Sequence, residues 1–117
     1  MKKLQNIRTI ETFRGATYQA QWKTSIKQKY VYLSIDIIAS PYRLNDNFML
    51  QFLRKYKEYR DELPKREKRK IALHPYAGAD GVGLYVLRDD YWSRGHTWWQ
   101  GFLLVMLSDD KNISFKK

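Results

Sequence analysis

The spacing of hydrophobic positions changes once along this chain, and the change marks its main elements. In ATYQAQWKT, Tyr18, Ala20 and Trp22 alternate with Thr17, Gln19, Gln21 and Lys23. This is the two-residue repeat of a half-buried strand. YVYLSIDIIAS places Val31, Leu33, Ile35 and Ile37 on one side, and its β-branched residues favour a second strand. The polar stretch SIKQK joins the two as a hairpin. With the aliphatic side inward, Tyr30, Tyr32 and Ser34 share the outer face with Gln19, Gln21 and Lys23. Upstream, NIRTIETFRG puts Ile7, Thr9, Glu11 and Phe13 on one side and Ile10 on the other. It reads as a less regular strand ending in a turn or bulge at Gly15.

The period lengthens in SPYRLNDNFMLQFLRKYKEYRDELP. Phe48, Met49, Phe52, Leu53 and Tyr56 recur at helical spacing, and Leu63 closes the stripe. Asn45 or Asp46 can cap the first free N–H groups, and Pro64 cannot continue the ladder, so a helix over about residues 46–62 is predicted. PKREKRK is either a second short helix opening on Pro64 or a loop. IALHPYAGADGVG begins apolar and becomes a glycine-rich connection, LYVLRDD reads as a strand, and YWSRGHT reads as a turn around Gly95. WWQGFLLVMLSDD is apolar on both faces and reads as a central strand. The helical alternative would put Trp98, Trp99, Phe102, Leu103 and Met106 on one face. KNISFKK is a short edge strand or a frayed end. Strands around one amphipathic helix define a single α+β domain over residues 1–117, mostly antiparallel, with the helix on one sheet face and the other face open.

Composition narrows the class. The 117 residues are 44% hydrophobic and 15% aromatic, as expected of a folded chain with one core. There is no cysteine, and the two histidines, His74 and His96, form no metal motif, so neither metal nor cofactor is expected. MKKLQNIRTIE has no apolar run behind its cations, and the longest apolar stretch, Phe102 to Leu107, is far short of a membrane span. The expectation is a cytoplasmic protein that does not enter membranes. The net charge is +10, and it is unevenly spread. Residues 1–44 carry eight basic and two acidic groups, residues 45–70 nine and five, and residues 71–117 five of each. Such polarity draws polyanions.

Four stretches are candidates for chemistry. Lys65, Arg66, Lys68, Arg69 and Lys70 are dense enough to follow a phosphate backbone, although acidic residues interleaved upstream also suit a solvated helix face. Lys23, Tyr30 and Tyr32, with Gln19 and Gln21, could form a sheet platform for stacking bases. HPYAGADGVG lacks the spacing and the following Lys-Ser/Thr of a phosphate loop. It could still be a loop that closes over a partner. In YWSRGHTWW, alternation sends one of Trp98 and Trp99 inward, leaving the other with Trp92, Arg94 and His96 as a partner-binding surface. A nuclease would instead use His96 as acid or base, Arg94 as stabiliser and Asp89 or Asp90 to orient it, but no spacing brings these together. The leading expectation is a small non-enzymatic basic module that binds nucleic acid or a nucleic-acid-bound complex. The alternative is a protein-binding inhibitor or adaptor of the phage or mobile-element kind, docking on an acidic surface or on a partner's nucleic-acid site. A small metal-independent nuclease ranks third. An edge strand near the C-terminus would permit a homodimer.

Overall fold

A computed structural model describes residues 6–63 and 75–116, with backbone only at Lys27 and at residues 94–97. Five strands form one antiparallel sheet in the order β1–β2–β3–β6–β5. They are β1 (Asn6–Glu11), β2 (Thr17–Lys27), β3 (Tyr30–Ile38), β5 (Tyr76–Gly78) and β6 (Gly81–Leu87). A second sheet pairs β4 (Tyr42–Leu44) with β7 (Ile113–Phe115). This is the predicted α+β class, and the predicted β2–β3 hairpin is present, turning at Gln28 and Lys29 with Gln28 at φ +48°.

Helix α1 (Asp46–Asp61) starts where its cap dictates: the Asn45 side chain accepts the Phe48 N–H at 3.2 Å. Its buried stripe is Phe48, Phe52, Tyr56 and Tyr59, with Leu63 closing the core just beyond. Leu53, expected in the stripe, is exposed, and Tyr59 takes a core place that apolarity alone does not signal. The Tyr59 ring fills the core while its hydroxyl accepts the Leu87 N–H at 3.1 Å, so the polar end is satisfied.

Three expectations are corrected. The segment 98–107 is a helix, not a central strand: α3 (His96–Leu107) buries Trp99, Leu103, Met106 and Leu107, a helical stripe. A strand apolar on both faces needs cover on both, and this sheet is covered on one. The helix wins because its apolar residues can crowd one side while Leu104 and Val105 turn outward. YWSRG, expected as a turn, is one π-helical turn (Tyr91–Gly95) linking the short α2 (Arg88–Asp90) to α3. The glycine-rich run is also not a loop, since Gly78 pairs with Gly81 and residues 76–87 form the β5–β6 hairpin. Among the described residues, no helix is long and apolar enough to cross a membrane.

The core lies between the inner sheet face (Tyr18, Ala20, Trp22, Val31, Leu33, Ile35, Val82, Leu84 and Val86) and the two long helices. Trp99 is its centre, fully buried and in ring contact with Phe52, Tyr59, Trp98 and Phe102. At the far end of α3 a polar knot closes the structure. Asn112, 1% exposed, donates to the Met106 carbonyl and accepts from Asn47 and Gln51 of α1 at 2.7 and 3.0 Å. Nearby, Tyr18 of β2 donates to the Leu107 carbonyl, and Thr12 donates to the Asp110 carboxylate, which also accepts the Arg14 N–H. These bonds, Thr12 foremost, hold the Asp110 carboxyl below its ordinary pKa.

Three outcomes follow. Trp99→Ala should lower stability by about 3–5 kcal/mol in denaturant titration, the usual loss for a large buried ring. Asn112→Ala should cost about 1–3 kcal/mol, because it strands the Met106 carbonyl and two amides. Asp110→Asn should be less stable than the parent at neutral pH. A carboxyl with a lowered folded pKa stabilises above its ordinary value of 3.8, and that contribution is lost as pH falls through the folded value. Thermal melts should therefore show the gap between the two proteins closing in acid.

Candidate nucleic-acid interface

Directly opposed residues of antiparallel strands share a face, so the register reads out the outer side of the sheet rung by rung. One rung joins Ser25, Tyr32 and Tyr85; the next joins Lys23, Ser34, Gly83 and Tyr76; the next joins Ile7, Gln21, Asp36, Gly81 and Gly78. Gln19 and Thr9 pair beyond them, and Tyr30 sits opposite Leu87 at the other end. The sequence-predicted group of Tyr30, Tyr32, Lys23, Gln19 and Gln21 thus shares one face, with Gln19 and Tyr30 at its opposite ends. Both long helices pack on the opposite face; on this one Tyr76 and Lys23 are exposed and Tyr30, Tyr32 and Tyr85 are half-buried.

The tyrosines form a cluster. Tyr32 and Tyr85 lie with ring centroids 4.9 Å apart, and Tyr30 meets Tyr85 edge-on at 6.1 Å. Tyr76, on the edge strand, is 53% exposed. Partial burial first, then Tyr85, Asp36 and Tyr76, push the Tyr32 hydroxyl above its ordinary pKa, so it stays a protonated, neutral hydrogen-bonding group. Lys23 faces Asp36 at 3.9 Å. At the Tyr30 end the exposed cations Lys29 and Arg88 are adjacent, the Arg88 N–H donating to the Lys29 carbonyl at 2.7 Å.

Glycines shape this surface. A Cβ at Gly83 would lie 2.9 Å from Tyr32 Cζ, and one at Gly78 would lie 3.1 Å from Tyr76 Cζ. Both ring tips therefore rest against glycine backbone, leaning along the sheet where a strand side chain would ordinarily stand upright. Gly81 has a different cause: a side chain there would strike the Ile35 carbonyl of β3.

The remaining predicted residues fall elsewhere. Lys65, Arg66, Lys68, Arg69, Lys70 and His74 lie outside the described residues, as do the side chains of Arg94 and His96. Trp92 is exposed and meets the buried Tyr91 edge-on at 5.1 Å. Trp98 is half-buried against Tyr59, with the Lys55 ammonium 4.0 Å above its ring. Trp99 is wholly inside and offers no contact surface. The inward–outward division expected of adjacent strand residues becomes a partial one, because neighbours on a helix differ by about 100°. Tyr85 and Tyr76 were missed in the sequence. Tyr85 was legible between the aliphatic Leu84 and Val86, whereas Tyr76 was hidden in a stretch that resembles a loop.

A cavity of about 820 Å³ beyond the tyrosines is lined by Lys29, Leu63, Leu87, Arg88, Asp89, Asp90 and Ser93, whose mixed charges select no ion of either sign. Among the described residues no cluster of acidic or histidine side chains could hold a metal ion. Comparisons with known protein families, curated proteins and solved structures find no match to this chain.

Proposed function

We propose that this protein is a small nucleic-acid-binding module that acts without catalysis of its own and uses the outer face of its five-stranded sheet. The observation that carries this reading is the set of four tyrosines on one partly exposed sheet face, three of them in ring contact, in a chain of net charge +10. Aromatic rings stack on bases without regard to sequence, and cations at the rim follow the backbone. Lys29 and Arg88 supply such cations at one end, and Lys23 supplies one within the face. Amides at Gln19 and Gln21 add neutral hydrogen-bonding groups.

The exposed Trp92 favours a second reading, a protein-docking adaptor anchored by that ring. Under that reading, Trp92→Ala would abolish capture of a protein partner and leave nucleic-acid affinity unchanged.

The test is a salt titration of binding to labelled single-stranded and duplex DNA and RNA, with the products run on gels. Affinity should fall steeply with salt, with a log–log slope of about −0.7 for each phosphate neutralised on a single strand. Lys29→Ala and Arg88→Ala should each weaken binding to all sequences alike and reduce the slope by about 1. Absence of binding at low salt would overturn the reading. Cleaved product would replace it with a nuclease.

A further inference from the structure

We propose that the tyrosine face is specific for unpaired nucleotides: Tyr32 and Tyr76, each laid along the sheet over a glycine, offer their ring faces to two separate bases of a single strand, with Gly83 and Gly78 as the positioning residues. This rests on the nucleic-acid reading above and specifies which form of nucleic acid the site accepts.

The pose of the rings comes first. A tyrosine standing upright on a strand presents its edge and hydroxyl to a ligand and keeps its flat side against neighbouring side chains. Here the tip of Tyr32 crosses diagonally from β3 onto Gly83 of β6 and occupies the place of a Cβ. Tyr85, directly opposite Tyr32, flanks it at 4.9 Å with the planes inclined at 53°, and Tyr30 in turn meets Tyr85 at 80°. Tyr32 is thus flanked on one side by Tyr85, and in this proposal the base stacks on the ring surface turned away from the sheet. Tyr76 does the same within its own strand, with its hydroxyl and Cζ over Gly78.

The spacing comes second. Tyr32 lies on β3 and Tyr76 on β5, with β6 between them. Two inter-strand steps put their backbones roughly 10 Å apart, and the Tyr32 ring reaches over β6 to lie beside Tyr76 and not on top of it. Stacked bases along one strand of a duplex advance by only about 3.4 Å. Bases seated on both rings must therefore be unstacked from each other, and a duplex, whose base faces are already covered, offers neither ring a partner. A single strand whose bases splay out meets both. The Tyr32 tip over Gly83 ends beside Tyr76, which pairs directly with Gly83, and Ser34 and Lys23 continue that rung onto β3 and β2.

The experiment is fluorescence anisotropy with one unstructured oligonucleotide, alone and annealed to its complement, at one fixed salt concentration and then across a salt series. The single strand should bind more tightly than the duplex. Tyr32→Leu and Tyr76→Leu should each weaken single-strand binding by about 5- to 150-fold, the equivalent of 1–3 kcal/mol per stacked base. Both should leave the salt slope intact. Tyr32→Phe should bind as the parent does, since the ring and not the hydroxyl is used. Gly83→Ala should reproduce the Tyr32→Leu loss and add nothing to it in the double variant, with an unchanged far-ultraviolet spectrum showing that the sheet persists. If Gly83→Ala does not fold, the two leucine variants and the strand comparison decide alone. Equal affinity for single strand and duplex, or parental affinity in both leucine variants, would overturn this proposal while leaving the nucleic-acid reading in place. Failure of the parent to bind any nucleic acid would overturn both.

Discussion

Burying the aliphatic positions of β2, β3 and β6 from one side only is the constraint on which this structure depends. Val31, Leu33 and Ile35 pair directly with Val86, Leu84 and Val82, so the inner face is a continuous apolar surface three strands wide at its centre. It needs a cover of matching area, and α1 alone presents one narrow stripe. The apolar C-terminal segment is recruited as a second helix beside α1, with Trp99 wedged between them. Once both helices occupy that side, the residues of opposite parity fall on the other face of the sheet, where Tyr30, Tyr32 and Tyr85 stay half-buried and Tyr76 is exposed. The polar and aromatic character of the outer face is the complement of the inner one.

The two helices are held in place by polar bonds at the end away from the tyrosines. Asn112 satisfies one carbonyl of α3 and two amides of α1 while sitting almost wholly out of solvent. A buried polar group is tolerated only when its bonds are made, and making them demands one arrangement of the partners. Tyr18 and Thr12 add bonds from the sheet side to the end of α3 and to Asp110. The apolar contacts bring the layers together without direction, and these directional bonds select the register in which they stay.

The outer face is shaped by what the packing leaves outside. The tyrosines lean because glycines lie beneath them, and glycine costs strand stability through lost packing and greater chain entropy. At Gly81 the cost has a structural cause in the close approach of β3. At Gly83 and Gly78 no backbone crowds the position, and what occupies the space is a tyrosine ring. The local cost therefore goes with the seating of two tyrosine tips on the sheet, not with a close backbone approach.

Much of this was legible in one dimension. Period-two alternation located β2 and β3 and put Tyr30 and Tyr32 opposite the core. The Asn45 cap and the 3.6-residue stripe located α1. Those features are local, depending on a residue and its near neighbours in the chain. Whether residues 98–107 form strand or helix was not local, because Trp98 to Leu107 satisfies either period. Only the need to cover the inner sheet face, set by strands some sixty residues away in sequence, decided for helix. The glycine-rich run became a hairpin for a similar reason, since β6 is held by its ladder to β3 and not by its own propensity. The composite site was decided there too: Tyr32, Tyr85 and Tyr76 belong to three strands, and only the sheet register brings them together over Gly83 and Gly78.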